Sequence, residues 1–191
     1  MSMAVSRSLK VAATALFAAM AAVLEILPLD LAFPLYEKLT LDPTGIPLML
    51  ALYLFGFDVA APAALITGIV IALPRPPFRG PNPVGAFFKS LAEISTLAGV
   101  CASRRLWRGK WLTLLASLSL GVAARAIVMT AACIALLPLF YCIPLTMVIG
   151  LGPVVAVFNV IQGSLNIVAG YLLYEALGKR LRSLTSPLSS S

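Results

Sequence analysis

Between Gly152 and Tyr174 the chain is apolar for long enough to cross a bilayer, which takes about 20 residues, yet it carries Asn159, Gln162 and Asn166 in its middle. Their spacing of i, i+3 and i+7 puts all three on one face of a helix. Polar groups facing lipid are costly, so this face is expected to look at other helices or at a ligand. Gly163 and Gly170 in the same stretch thin the helix and allow a neighbour to approach closely. The face therefore reads either as hydrogen-bonding glue between spans or as one wall of a small-molecule site between helices.

The rest of the chain belongs to the same class. Of 191 residues, 61% are hydrophobic and 11% charged, with a mean hydropathy of +1.02. That lies far outside the soluble globular range and predicts one polytopic, all-α membrane domain. The chain has no histidine, which removes Ser-His and Cys-His nucleophiles and His-ligated zinc. Cys101, Cys133 and Cys142 fall in different segments without metal-type spacing. Neither a metal nor a cofactor is expected. No glycine-rich phosphate loop ending in Lys-Ser or Lys-Thr is present, so the chain is not expected to hydrolyse a nucleotide.

Six spans are predicted. Residues 1–10 form a short basic N-terminus, residues 11–182 a single six-helix membrane domain, and residues 183–191 a Ser-rich tail expected to be disordered. The first span runs from about Val11 to Leu27. It is not read as a signal peptide, because equally apolar spans follow it. It contains the small-xxx-small pairs Ala15/Ala19 and Ala18/Ala22, a flat strip on which another helix can dock. Glu25, near its end, is placed where a carboxylate can reach the interface. Pro28 to Asp42 reads as a loop that could fold over a cavity as a lid, and Asp42-Pro43 as the cap and first turn of the next helix. The second span, ending near Leu54, is short enough to be tilted or to cross only in part. The third runs from about Val59 to Leu73, the proline-rich loop 74–83 follows, and the fourth runs from about Val84 to Cys101. Residues 103–110 form a basic loop with Trp107 and Trp111 as interface anchors. The fifth span covers about Leu112 to Leu137, a break covers Pro138 to Ile149, and the sixth ends at Lys179, Arg180 and Arg182.

Six spans leave both termini on one side. With that side cytoplasmic, Arg7, Lys10, Arg104, Arg105, Arg108, Lys110, Lys179, Arg180 and Arg182 lie inside, against Lys38, Arg75 and Arg79 outside. This agrees with the positive-inside rule and predicts cytoplasmic termini in a multi-pass cell (plasma) membrane protein.

Lys89, Glu93 and Arg125 lie within spans, where each costs roughly 2.5–3.5 kcal/mol at a helix centre. At a rise of about 1.5 Å per residue, Glu93 sits some 14 Å below the outer end of the fourth span and Arg125 about 20 Å above the inner end of the fifth. In a core of about 30 Å these depths nearly meet, at the level of Asn159 and Gln162. The cluster reads as a structural ion pair, Glu93 with Arg125 or Lys89, or as a site whose net positive charge suits an acidic or carbonyl-rich ligand. Glu93 is the one deep carboxylate expected.

Several stretches resemble a known family. The alanine pairs of the first span, Leu39-Thr40-Leu41-Asp42-Pro43-Thr44-Gly45-Ile46-Pro47 followed by Leu54-Phe55-Gly56, Pro83-Val84-Gly85-Ala86-Phe87-Phe88 up to Gly99, and Phe158-Asn159-Val160-Ile161-Gln162-Gly163 occur in that order. In this the chain is similar to the membrane-embedded substrate-binding (S) components of energy-coupling factor (ECF) vitamin transporters, most like the riboflavin type. The resemblance covers about Val11 to Arg182. It implies a six-helix subunit that captures a vitamin from outside and works with a transmembrane coupling subunit and ABC-type ATPases. It further implies a site built from the first loop, with Leu41, the loop after the fifth span, and spans four to six, with Asn159 as a ligand contact. Gln162 stands where the riboflavin type has Lys, so the implied solute is riboflavin or another vitamin-like compound.

The expected binding set is thus Asn159, Gln162, Asn166, Lys89, Glu93, Arg125 and Leu41. The expected docking set for the coupling subunit is Ala15, Ala18, Ala19 and Ala22. The chain is not expected to be an enzyme, and no nucleic-acid partner is expected. The alternatives are an intramembrane enzyme, which without histidine would need a carboxylate pair or a Ser-Lys dyad, and a membrane assembly subunit that binds no ligand.

Overall fold

The computed structural model describes residues 6–27, 29–74, 80–106 and 110–185. Among them lie six helices and one two-stranded hairpin: α1 (Arg7–Ile26), β1 (Leu31–Phe33), β2 (Tyr36–Leu41), α2 (Gly45–Phe55), α3 (Phe57–Ala72), α4 (Pro83–Leu106), α5 (Lys110–Tyr141) and α6 (Leu145–Thr185). α1, α4, α5 and α6 are each long and apolar enough to cross a membrane, whereas α2 and α3 are shorter apolar helices. At about 1.5 Å per residue α2 measures only about 16 Å. The six expected spans are therefore four long helices and two short ones, the second span being short as expected.

The first loop is not a plain loop. β1 and β2 pair antiparallel, with Leu31 opposite Leu41 and Ala32 opposite Thr40. The strands' N–H and C=O groups bond each other, which lets extended backbone enter an apolar region. The second crossing is thus composite: β2 leads down through Asp42 into the half-length helix α2. Leu48, Met49, Leu50, Ala51 and Leu52 are all buried, so α2 is covered along most of its length, with Leu54 exposed near its end, and packs between α1, α3 and α6.

Glycines set the closest approaches. A Cβ on Gly170 would stand 2.5 Å from the Met49 side chain, and one on Gly99 would stand 2.5 Å from the Leu120 carbonyl oxygen. These contacts seat α6 on α2 and α4 on α5. Gly56, with φ of 98°, provides the left-handed turn by which α2 passes directly into α3.

One end of the bundle gathers the basic residues. Lys10 pairs with Asp58 at the α2–α3 turn. Arg104 donates to the Leu52 carbonyl at 2.9 Å and lies over the Tyr53 ring. Tyr53 in turn packs on Tyr174, a little before Lys179 and Arg180. The hairpin occupies the other end.

Four expectations need correction. The break at 138–149 is confined to residues 142–144: α5 runs through Pro138 to Tyr141 and α6 starts at Leu145. A proline is tolerated there because neighbouring helices and local adjustment can re-satisfy the freed carbonyl. α6 does not end at the basic cluster but continues to Thr185, since cations near a helix C-terminus favour the dipole. Residues 183–185 of the expected tail are therefore helical. Asp42 does not cap α2; that position belongs to Thr44. Ala18 is buried in the core with Ala13, Phe17 and Ala21, so it cannot belong to a docking strip, whereas Ala15 and Ala19 face outward and Ala22 is half-buried. The extreme N-terminal residues, Arg75, Arg79, Trp107, Arg108 and residues 186–191 lie outside the described residues.

Candidate functional site

The hairpin end of the bundle encloses a cavity of about 550 Å³. Its walls come from the end of α1, the hairpin, α3, α4, α5 and α6. Phe88 and Lys89 enter from α4, Arg125 and Met129 from α5, and Phe158 and Asn159 from α6. Leu39, Thr40 and Asp42 come from the hairpin side.

Beneath this cavity the intramembrane polar residues form one connected network. Arg125 donates from Nη1 to Glu93 Oε1 at 2.9 Å and to Thr96 Oγ1 at 3.2 Å. Its Nε donates to Asn159 Oδ1 at 3.1 Å. Asn159 donates from Nδ2 to the Val155 carbonyl, 2.8 Å away, one turn earlier in α6. Asn166 Nδ2 lies 3.3 and 3.4 Å from the two Glu93 oxygens. Gln162 Nε2 donates to Asn166 Oδ1 at 3.1 Å. Glu93, Arg125, Asn159, Gln162 and Asn166 are all at most 2% exposed. A buried ion pair is tolerable only when such additional hydrogen bonds satisfy its remaining atoms.

Gln162 also reaches the hairpin. Its Oε1 accepts from the Asp42 N–H at 3.2 Å, and its Nε2 donates to the Asp42 carbonyl at 2.6 Å. A side-chain amide offers the same donor and acceptor as a peptide group. Gln162 thus stands in for a neighbouring strand just where β2 has run out of partners. The Asp42 carboxylate pairs with Lys89 and accepts from the Thr44 N–H at 2.9 Å.

α2 meets this network end-on. A Cβ on Gly45 would stand 1.9 Å from Asn166 Nδ2 and 2.7 Å from Glu93 Oε2. Glycine is thus the residue whose backbone can lie against the buried pair.

The structure brings Lys89, Glu93, Arg125, Asn159, Gln162 and Asn166 together, in two layers. Lys89, Arg125 and Asn159 border the cavity, while Glu93, Gln162 and Asn166 lie below it and hold that layer. Leu41 pairs with Leu31 at the end of the hairpin and does not border the cavity; its neighbours Thr40 and Asp42 do. Glu93 is not the one deep carboxylate. Asp42 lies on the cavity wall beside Lys89. Glu25, expected at the interface, is buried on the same wall and accepts from Thr44 Oγ1 at 3.2 Å. Asp42 was legible only as a cap because its partners stand far away in sequence. Phe88 and Phe158, each one residue before a polar cavity residue, could have been found by that adjacency.

No protein-family profile and no curated protein sequence matches the chain. Among solved structures, the chain is similar to one described as the S component of a bacterial ECF transporter. The TM-score is 0.77 at 26% identity, over 92% of this chain and 99% of that one. The chain is therefore a mostly helical, multi-pass membrane protein with the architecture of a transporter subunit.

Proposed function

We propose that this protein is the substrate-capturing subunit of an ECF-type importer. It binds a small vitamin-like solute, riboflavin or a compound of similar size, in the cavity under the hairpin and delivers it with a coupling subunit and ATPases. The observation that carries this reading is the cavity itself. Its volume of about 550 Å³ suits a vitamin-sized molecule, and Lys89, Arg125 and Asn159 converge on it from three helices. Likeness to an S component over nearly both whole chains supports it. The basic end of the bundle, with both termini, is the cytoplasmic end, and the cavity opens outward in the cell membrane.

The test is thermal stabilisation of the purified protein by a panel of vitamins, riboflavin included, together with mass spectrometry of solutes that co-purify. A tight ligand raises stability by RT ln(1 + [L]/Kd). A panel that leaves the melting temperature unmoved, with nothing co-purifying, sinks the reading. Asn159→Ala removes a hydrogen-bonding cavity group, a loss of about 1–3 kcal/mol. It is expected to weaken solute binding at least several-fold, about 1.4 kcal/mol being tenfold.

The outward pair Ala15 and Ala19 is the proposed contact for the coupling subunit, since small residues let another helix approach closely. Ala19→Trp is expected to abolish co-purification with that subunit while solute affinity stays as in wild type. Loss of solute binding instead would return this strip to internal packing.

A further inference from the structure

The basic end of the bundle is stepped, and the step gathers cations that the protein itself leaves without partners. α2 ends at Phe55 and α4 at Leu106, whereas α6 runs on past Tyr174 to Thr185. Arg104, in the last turn of α4, is fixed in place. Its Nη1 donates to the Leu52 carbonyl near the end of α2, and its guanidinium carbon stands 5.3 Å from the centroid of the Tyr53 ring. The same ring packs on Tyr174, 5.7 Å between centroids, which brings α6 beside Arg104. Gly178 lies one turn beyond Tyr174 on the same face of α6. A Cβ there would meet nothing within 4 Å, so the side of α6 that follows Tyr174 is open.

Contacts within the protein neutralise little of the charge around this opening. Arg104 has N–H groups beyond the one given to Leu52, and these have no partner among the described residues. Arg105 and Lys179 are exposed and have no ion pair among them. The two carboxylates described at this end are taken, Asp58 by Lys10 and Glu175 by a contact of its own. The cations also stand where the lipid-facing surface ends. Leu173 and Leu177, each one position before Tyr174 and Gly178, are exposed, as is Leu106 after Arg105. An apolar stripe that ends in unpartnered guanidinium groups suits a molecule with hydrocarbon at one end and an anion at the other. Paired guanidinium N–H groups match a phosphate in geometry as well as charge, and basic pockets between helices at a membrane surface suit anionic headgroups.

We propose that this step binds an anionic phospholipid. Its phosphate lies on Arg104 and Arg105, its headgroup fills the space beside Gly178, and its acyl chains run along Leu173 and Leu177. The site stands at the opposite end of the bundle from the cavity and does not depend on the solute.

Dioleoyl phosphatidylglycerol, which is anionic, and dioleoyl phosphatidylcholine, which is zwitterionic with the same chains, are titrated into the detergent-purified full-length protein. Bound lipid is counted by native mass spectrometry, and glycerol 1-phosphate serves as a headgroup probe without chains. Phosphatidylglycerol is expected to bind roughly tenfold or more above both other probes, since each basic residue at a membrane surface contributes about fivefold. Arg105→Gln removes one cation, and Gly178→Leu fills the open space without changing any charge. Each is expected to weaken phosphatidylglycerol binding by about fivefold. Arg7→Gln, an equal loss of charge at the start of α1, is expected to leave it as in wild type. Equal binding of the two lipids overturns the proposal. A loss in Arg7→Gln as large as in Arg105→Gln also overturns it, because the attraction would then be a diffuse field rather than a site. Glycerol 1-phosphate bound as tightly as the lipid would make the step a site for a soluble anion. If Arg105→Gln and Gly178→Leu keep phosphatidylglycerol but lose a co-expressed coupling subunit, the step belongs to that partner and the lipid assignment falls.

Discussion

Glu93→Gln is expected to lower the stability of the solute-free protein by about 3–5 kcal/mol, the usual effect of leaving one member of a buried ion pair uncompensated. Arg125 is 2% exposed, and Glu93 is the carboxylate it touches among the described residues. The amide of glutamine keeps the size and one acceptor oxygen but removes the charge. The measurement is chemical or thermal unfolding in detergent or bicelles. Arg125→Met in the Glu93→Gln background should recover part of the loss, because the orphaned cation goes with it. Unfolding of Glu93→Gln at the wild-type midpoint would mean that the pair contributes nothing to the fold. Conversely, wild-type solute affinity in Asn159→Ala and Gln162→Ala, together with a destabilised Glu93→Gln, would make the polar seam structural glue and move the solute elsewhere.

The second large effect is expected at Gln162. In Gln162→Leu the N–H and C=O of Asp42 both lose their partner at once. Two buried backbone groups left unpaired should cost about 2–6 kcal/mol, at about 1–3 kcal/mol each. Part of that loss should appear as release of the hairpin rather than global unfolding, because the helices keep their packing. Amide hydrogen exchange would show it: protection at residues 36–42 falls by more than tenfold while α4 and α5 exchange as in wild type. Solute affinity should drop at least tenfold, since Asp42 and Lys89 lose their placement. Gln162→Glu keeps an acceptor for the Asp42 N–H but loses the donor to its carbonyl, and should fall between. Unchanged exchange in β2 would show that β1 alone holds the hairpin.

These positions also show what a sequence can convey. Asn159, Gln162 and Asn166 were legible as one helical face because the period of an α-helix is local information. The meeting of Glu93 with Arg125 followed from a fixed rise per residue in a slab of known thickness. Asp42 was not legible in its role, because its partners Lys89 and Gln162 lie 47 and 120 residues away. Strand pairing in residues 31–41 was hidden for a different reason, since its partners are only ten residues apart or fewer. A short run with charges and aromatics looks like a loop until the opposite strand and Gln162 are in view. At Pro138 the local rule that proline ends helices was overridden by the surrounding bundle. The alanine strip divided because a small side chain carries no sign of which way it faces: packing against α3 and α2 took Ala18, and Ala15 was left outside.

The composite second crossing has a consequence for how the protein is made. With 11 residues, α2 is about half the length a lone segment needs to settle in a bilayer. Its fixed partners arrive late: Gln162, which secures Asp42, is synthesised 120 residues after it. At about 5–20 residues per second that is a delay of roughly 6–24 s. Throughout it, the nascent chain holds a buried-type helix covered by α1 and α3 but open on the side that α6 will take. α2 cannot be threaded into lipid as an independent unit and must wait beside α1 and α3, in the shelter of the insertion machinery, until α6 emerges from the ribosome and closes the bundle over it.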